Sequence, residues 1–343
     1  MRTLLSISFA FLAVGVARAE TAVPIPTKPD EPMAKTFNAG RAAAYIDGVG
    51  LSWTRERKCA TCHTNVPFML ARPLVAGGDP APMKEVRAFL EATVKKWENA
   101  KPKNDYEVVA TAYALAGNDA ATSQKLHPLT RVALDRTWTI QKDDGSWEWP
   151  ECSWPPLEHD QFFSVAFMAV ATAIAPDNYA DTPAARKGLD GIRKYLKANP
   201  VPELHHKATL LWAATKIDGL VSDSDKKATV AELRKLQQAD GGWNLPALGP
   251  YLTRRDGTPN KRDAPSDGYA TGFVTYVLRQ AGVPANDPAI AKAVVWLKQN
   301  QRASGRWFTR SLQVDKAHYI TNAGSAFAIM ALDAAGEKLA AEE

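Results

Sequence analysis

The sequence predicts an all-α chain built from about six helix pairs, and three observations predict it. Apolar residues recur at spacings of three and four, as in Val86-Phe89-Leu90-Val94 and Ile192-Tyr195-Leu196, while strand-like alternation is scarce. The element Gln-x-x-x-Gly-x-Trp occurs at Gln141–Trp147, Gln237–Trp243 and Gln301–Trp307. Each copy follows an amphipathic helix (Val132–Ile140, Val230–Leu236, Ile290–Asn300) and precedes a loop and an apolar, small-residue-rich helix (Phe162–Ile174, Tyr269–Ala281, Ala323–Ala335). Gly lets the chain leave the first helix in a left-handed conformation, Gln can bond backbone groups freed there, and Trp packs over the turn.

The chain opens with Arg2, the apolar run Leu4–Val16 and Ala17-Arg18-Ala19. That is the pattern of a secretory signal cleaved after Ala19, with an uncleaved anchor as the alternative. No other stretch approaches the ~18 to 20 apolar residues of a membrane span. Residues 1–19 are therefore expected to be a signal peptide, and the mature chain periplasmic or otherwise exported, without a stable span. Net charge is +5 and falls by two when Arg2 and Arg18 leave. The absence of a Lys/Arg block argues against nucleic acid as a partner. Residues 20–37, with Pro24, Pro26, Pro29 and Pro32, read as an extended leader, and 38–338 as one helical domain.

Degenerate pairs fill the gaps between the three repeats. Ala42–Ile46 with Trp53 precedes Cys62–Leu74, Val86–Trp97 precedes Tyr106–Ala116, and Leu189–Leu196 precedes His206–Thr215. Recurrent helix pairs stack into an open solenoid or close into a ring. The strongly apolar second helices favour an inner ring, with the more polar first helices outside. The three repeats resemble the QW repeats of squalene–hopene cyclases and the wider terpenoid cyclase/prenyltransferase superfamily, and Ser266 to Leu278 resembles the start of an inner helix in that family. The resemblance implies an (α/α)6 toroid over about residues 40–336, with an apolar cavity suited to an isoprenoid or lipid-like substrate. The cyclases' D-x-D-D motif is not found. Asp223-Ser-Asp225, the nearest acid cluster, reads as a solvated turn, so cyclase chemistry is not expected.

Cys59-Ala60-Thr61-Cys62-His63 is a C-x-x-C-H sequence, the attachment pattern of a c-type haem. Two Cys three apart on one helical turn would reach one porphyrin edge, with His63 as proximal ligand. A disulfide or buried thiol pair is one alternative. Zinc held by Cys59, Cys62 and His63 is another, as in toroids that carry zinc at the ring's mouth. The haem reading predicts an oxidoreductase or electron carrier with a redox partner protein. A non-catalytic lipid-binding toroid needs neither metal.

Aligning the pairs gathers Cys59–His63, Tyr106, Glu158–Asp160, His205-His206, Asp267–Tyr269 and His318-Tyr319 at one rim. Helix N-termini there favour anions. His159, flanked by Glu158 and Asp160, is the first candidate for a metal ligand opposite His63; His205, His206 and His318 follow. Of the adjacent His205 and His206, at most one is expected to face inward. Asp160 and Asp267 are either general acid/base residues or helix caps. Cys152 is inert or near the rim, and Trp147, Trp149 and Trp154 form an aromatic wall or plain packing. Met69 is expected in the core, and Arg254–Pro265 forms a loop that can fold over the rim.

Overall fold

The computed structural model describes residues 26–75, 80–151, 154–249 and 253–340. The predicted signal peptide and Cys152 lie outside them. Twelve α-helices are present among the described residues: α1 (Ala39–Arg57), α2 (Asn65–Ala71), α3 (Ala81–Lys96), α4 (Asp105–Ala121), α5 (Pro128–Thr139), α6 (Phe162–Ile174), α7 (Pro183–Ala198), α8 (Leu204–Ala213), α9 (Asp223–Lys235), α10 (Gly268–Gln280), α11 (Pro288–Gln299) and α12 (Ile320–Ala334). Their starts follow local chemistry. Asn38, Asn104, Thr182, Ser222 and Asp267 each accept a first-turn N–H. Pro128, Pro183 and Pro288 occupy first-turn positions, where a missing N–H costs nothing. Asp223 and Asp225 form the exposed first turn of α9, so the predicted solvated turn is a capped helix start.

The even-numbered helices form an inner ring. α2 packs on α4, α4 on α6, α6 on α8, α8 on α10, α10 on α12, and α12 returns to α2. These helices are buried almost all round, whereas α3 buries only Met83, Val86, Leu90 and Val94 along one stripe. Odd-numbered helices form the outer layer, and the molecule is an (α/α)6 toroid. Two glycines let α10 and α12 meet at backbone distance. A Cβ at Gly272 would lie 2.6 Å from the Ala328 nitrogen, and one at Gly324 would lie 2.9 Å from that of Tyr269.

The three repeats are joints between successive pairs. Trp147, Trp243 and Trp307 are fully buried. Each indole N–H donates back to its preceding outer helix, at Thr137, Leu233 and Leu297 carbonyls, 2.7–2.8 Å away. Each Gln amide spans its own loop and the next outer helix: Gln141 donates to Gly145 and Gly188 oxygens, Gln237 to Gly241 and Ala289. Gln301 closes the ring, donating to the Asn38 carbonyl at 3.0 Å and accepting the Asn38 N–H at 2.8 Å. The leader residues reinforce that seam. Ala34 N–H donates to the Gln301 carbonyl, and the Glu31 carboxylate holds buried Arg306 and the Ser304 N–H.

Candidate functional site

α1 ends where Lys58 turns left-handed (φ 51°) and its N–H returns to the Thr54 carbonyl. Residues 59–64 are an irregular loop, and α2 starts only at Asn65. Cys59 and Cys62 therefore do not share a helical turn, contrary to the sequence expectation. The loop is fixed from outside: Cys62 N–H donates to the Tyr106 hydroxyl at 3.0 Å and Asn65 Nδ2 to the Thr54 hydroxyl at 2.8 Å.

A rim cavity of about 290 Å³ opens here, lined by Cys59, His63, Tyr106, Glu158 and the aromatic faces of Trp53, Trp154 and Tyr319. That is near the lower end of small-molecule pockets. His63 stacks on Tyr319 (centroids 5.3 Å apart) and meets Trp53 edge-on at 4.6 Å. Its Nδ1 lies 2.8 Å from the Thr64 hydroxyl, which also accepts Asn322 Nδ2 at 3.0 Å; Tyr45 in turn donates to Asn322 Oδ1 at 2.8 Å. Its Nε2 is 3.8 Å from Glu158 Oε1. Burial holds the imidazole below its ordinary pKa despite the Glu158 charge, so the ring is neutral and a competent metal ligand.

Glu158 links the remaining groups. Its Oε1 accepts the Cys62 thiol and the Tyr106 hydroxyl, each at 3.3 Å. Burial, and then the Glu158 charge, push the Cys62 thiol well above the usual range; burial raises Cys59 as well. Both cysteines are free, and at neutral pH they stand as thiols rather than thiolates.

Glu158 reaches His63, whereas His159 turns to Glu203, with Nε2 3.9 Å from Glu203 Oε1. Sequence reasoning places His159 opposite His63; in the structure the neighbouring carboxylate holds that position. His159, Asp160 and Glu203 form a separate cluster whose donor atoms lie within 4.8 Å of one another. Asp160 caps the start of α6 through the Phe163 N–H, and it lies 3.3 Å from His206. Burial pushes the Asp160 carboxyl up, but His206, His159 and that N–H outweigh it and leave it below its ordinary value.

His205 and His206 are both buried, in different places. His206 faces Asp160. His205 faces the ring axis, where it stacks on Phe273 and pairs with the Tyr269 hydroxyl at 2.7 Å; burial holds it well below the ordinary histidine range. Tyr113, Phe163, Phe167, Trp212, Phe273 and Phe327 fill that axis and leave about 20 Å³, room for about one water. The apolar central cavity predicted from the resemblance is thus filled by the chain's own side chains, and the open space is at the rim.

Asp267 stands apart as the cap of α10. Its oxygens accept N–H groups of Ala270 (2.9 Å) and Leu245 (2.6 Å) and the Thr309 hydroxyl (3.1 Å). Burial raises its pKa to about 6 against those bonds. Because the folded value lies above the unfolded one, the protonated fold is favoured, and this contribution is full below about pH 4. It is lost as pH rises through 6, about 3 kcal/mol in all. Asp267→Asn should flatten the pH 4–6 limb of stability measured by urea denaturation; an unchanged limb would assign it elsewhere.

His318 is held by the Ser311 N–H at 3.0 Å. Met69 is fully buried, as expected. The loop after Arg254 is packed down: Arg254 is buried and donates to Ser311 and Asp315, and Arg255 covers the Trp154 ring at 5.3 Å. Predicted helix starts place Tyr106 and Tyr319 at the rim, whereas no motif or predicted helix end points to Trp53 or Glu203.

No protein-family model and no curated protein matches this sequence. Among solved structures, ent-copalyl diphosphate synthase from Streptomyces platensis is similar at 15% identity and TM-score 0.49, over 79% of this chain and 50% of that one. This chain thus spans half the length of that synthase. The type II terpene cyclase MstE from Scytonema, with its substrate geranylgeranyl dihydroxybenzoate, matches at 13% identity and TM-score 0.46, over 87% and 98% of the two chains. A wild-type glycosidase matches at 14% identity and TM-score 0.45, over 87% and 86%. No helix of the described residues is long and apolar enough to cross a membrane.

Proposed function

We propose that this chain is an exported redox protein carrying haem c at Cys59, Cys62 and His63 on the rim of the toroid. The observation that carries this reading is the meeting of Cys59 and the oriented His63 imidazole in one aromatic-walled cavity, with the free, buried Cys62 thiol held on Glu158 of the same lining. His63 Nδ1 is engaged by Thr64, which leaves Nε2 as the ligating atom. Tyr319 and Trp53 hold the ring in position. Trp154, under Arg255, forms one wall. Glu158 is the carboxylate of this cavity's lining, and its contacts to Cys62, Tyr106 and His63 hold those groups in place. When bound, haem supplies one-electron chemistry, and its exchange partner would be a second redox protein or a small molecule entering the rim cavity.

Zinc held by Cys59, Cys62 and His63 is the less favoured reading. Among the described residues, the group with metal-ligand spacing is His159, Asp160 and Glu203, not those three. A porphyrin needs its thiols apart, while zinc needs them on one point. The filled ring axis weighs against an isoprenoid housed there, so a substrate would sit at the rim.

Protein expressed with the cytochrome c assembly machinery should give a pyridine haemochrome spectrum of covalent haem c at one equivalent. Cys59→Ser with Cys62→Ser should abolish it. Normally exported protein without haem would sink the proposal.

A further inference from the structure

Beside the motif cavity, the chain from Trp154 to Asp160 carries side chains in two directions. Glu158 turns to Cys62 and His63, while His159 and Asp160 turn to the start of α8. We infer that His159, Asp160 and Glu203 form a binding site for one divalent transition-metal ion, with His206 bracing the two carboxylates.

Spacing is the first support. One imidazole nitrogen and two carboxylate oxygens, from segments more than 40 residues apart, have donor atoms within 4.8 Å of one another. Bonds of 2.0–2.2 Å to a tetrahedral zinc ion put its ligands about 3.3–3.6 Å apart. The 3.9 Å between His159 Nε2 and Glu203 Oε1 needs only a small closure to reach that.

His206 is an independent support. It is wholly buried, and neither ring nitrogen makes a hydrogen bond. Its Nε2 lies 3.3 Å from Asp160 Oδ2 and its Nδ1 3.5 Å from Glu203 Oε2. A neutral imidazole offers one N–H and one lone pair, so it cannot satisfy a carboxylate on each side. One carboxylate is left facing the lone pair, and a dication held by His159, Asp160 and Glu203 offsets the charge that His206 does not pair.

Glu203 points the same way. It occupies the N-cap of α8 but its side chain makes no capping bond, and the side chain is only 5% exposed. Its carboxylate is instead turned toward His159 and His206, which places its oxygens in the cluster. His159 is 37% exposed at its side chain, which gives the ion an entry route and leaves a coordination position toward solvent. One nitrogen and two carboxylates suit zinc, manganese or iron rather than a soft, thiolate-seeking ion.

The test uses the full mature chain, stripped with a chelator and titrated calorimetrically with Zn²⁺, with bound zinc counted by elemental analysis after dialysis. The site predicts one equivalent, weakened at least 10-fold by His159→Ala and by Glu203→Gln. Cys59→Ser with Cys62→Ser should retain that equivalent, whatever becomes of the haem. His159 is half-exposed, so its variant keeps the test valid if Glu203→Gln fails to fold. Absence of saturable binding would overturn the site, and so would undiminished binding in His159→Ala. Loss of zinc in the double Cys variant would move the metal to the motif. If histidine NMR shows both rings protonated and no zinc is bound, the cluster is an ion-pair network only, and the proposal fails.

Discussion

Gly305→Ala should cost about 3 kcal/mol or more of unfolding free energy, and Trp307→Ala about 3–5 kcal/mol. Gly305 has φ +94°, a conformation that costs an L-residue roughly 1–2 kcal/mol. It also lies against the first turn of α1: an added Cβ would stand 2.1 Å from the Arg41 carbonyl oxygen. That oxygen is backbone and cannot rotate away, so α1 must move. The seam that then opens joins the first pair to the last, where Gln301 bonds Asn38. Gly282→Ala is the control, because it has φ +86° with nothing within 4 Å of an added Cβ. It should lose only the conformational part. Urea denaturation followed by circular dichroism gives both values, and equal losses would show that the close approach to α1 carries no energy. Trp307→Ala leaves a cavity and also frees the Leu297 carbonyl.

Joints of this kind are legible in sequence because each uses residues within a few positions of one another. Gln, Gly and Trp are set by one helix end and its loop, so the register of Gln141, Gln237 and Gln301 carries directly into the structure. The loop at Cys59 is different. Its shape depends on Lys58, which ends α1, and on Tyr106, which is 44 residues away and holds the Cys62 N–H. No local pattern encodes that contact. Glu158 and His159 illustrate a second limit. Around the extended pairing of Trp154 with Glu158, successive side chains leave on opposite sides, so two neighbours serve two sites. A helical reading of the inner-helix starts puts them on one rim without separating them. Whether the ring is hollow is a third matter, since it depends on the summed volume of side chains from several inner helices. Phe163, Phe167, Trp212, Phe273 and Phe327 each read as ordinary apolar positions, yet together they fill the axis.

If haem c sits at Cys59, Cys62 and His63 as proposed, Thr64→Val is expected to act on both stability and redox behaviour. The Thr64 hydroxyl is buried between His63 Nδ1 and Asn322 Nδ2, at 2.8 and 3.0 Å. Valine matches its shape but leaves the Asn322 amide unpaired, a loss of about 1–3 kcal/mol. It also frees the His63 ring from the partner that sets its tautomer. A ligating imidazole whose N–H donates to an acceptor is a stronger base, so removing the acceptor weakens its hold on oxidised iron. In the haem-loaded protein the midpoint potential should therefore rise, by about 60 mV for each tenfold loss of relative affinity for the oxidised state. Thr64→Ser keeps the oxygen and should restore both values. Asn322→Leu tests the next step of the relay: the Tyr45 hydroxyl loses its acceptor and Thr64 loses a donor, while His63 keeps its partner. Stability should fall by a similar amount with a smaller change in potential. If Asn322→Leu and Thr64→Val moved the potential equally, the His63–Thr64 contact would not be what tunes the site. A fall in stability with no change in potential for Thr64→Val would make Thr64 a packing residue alone.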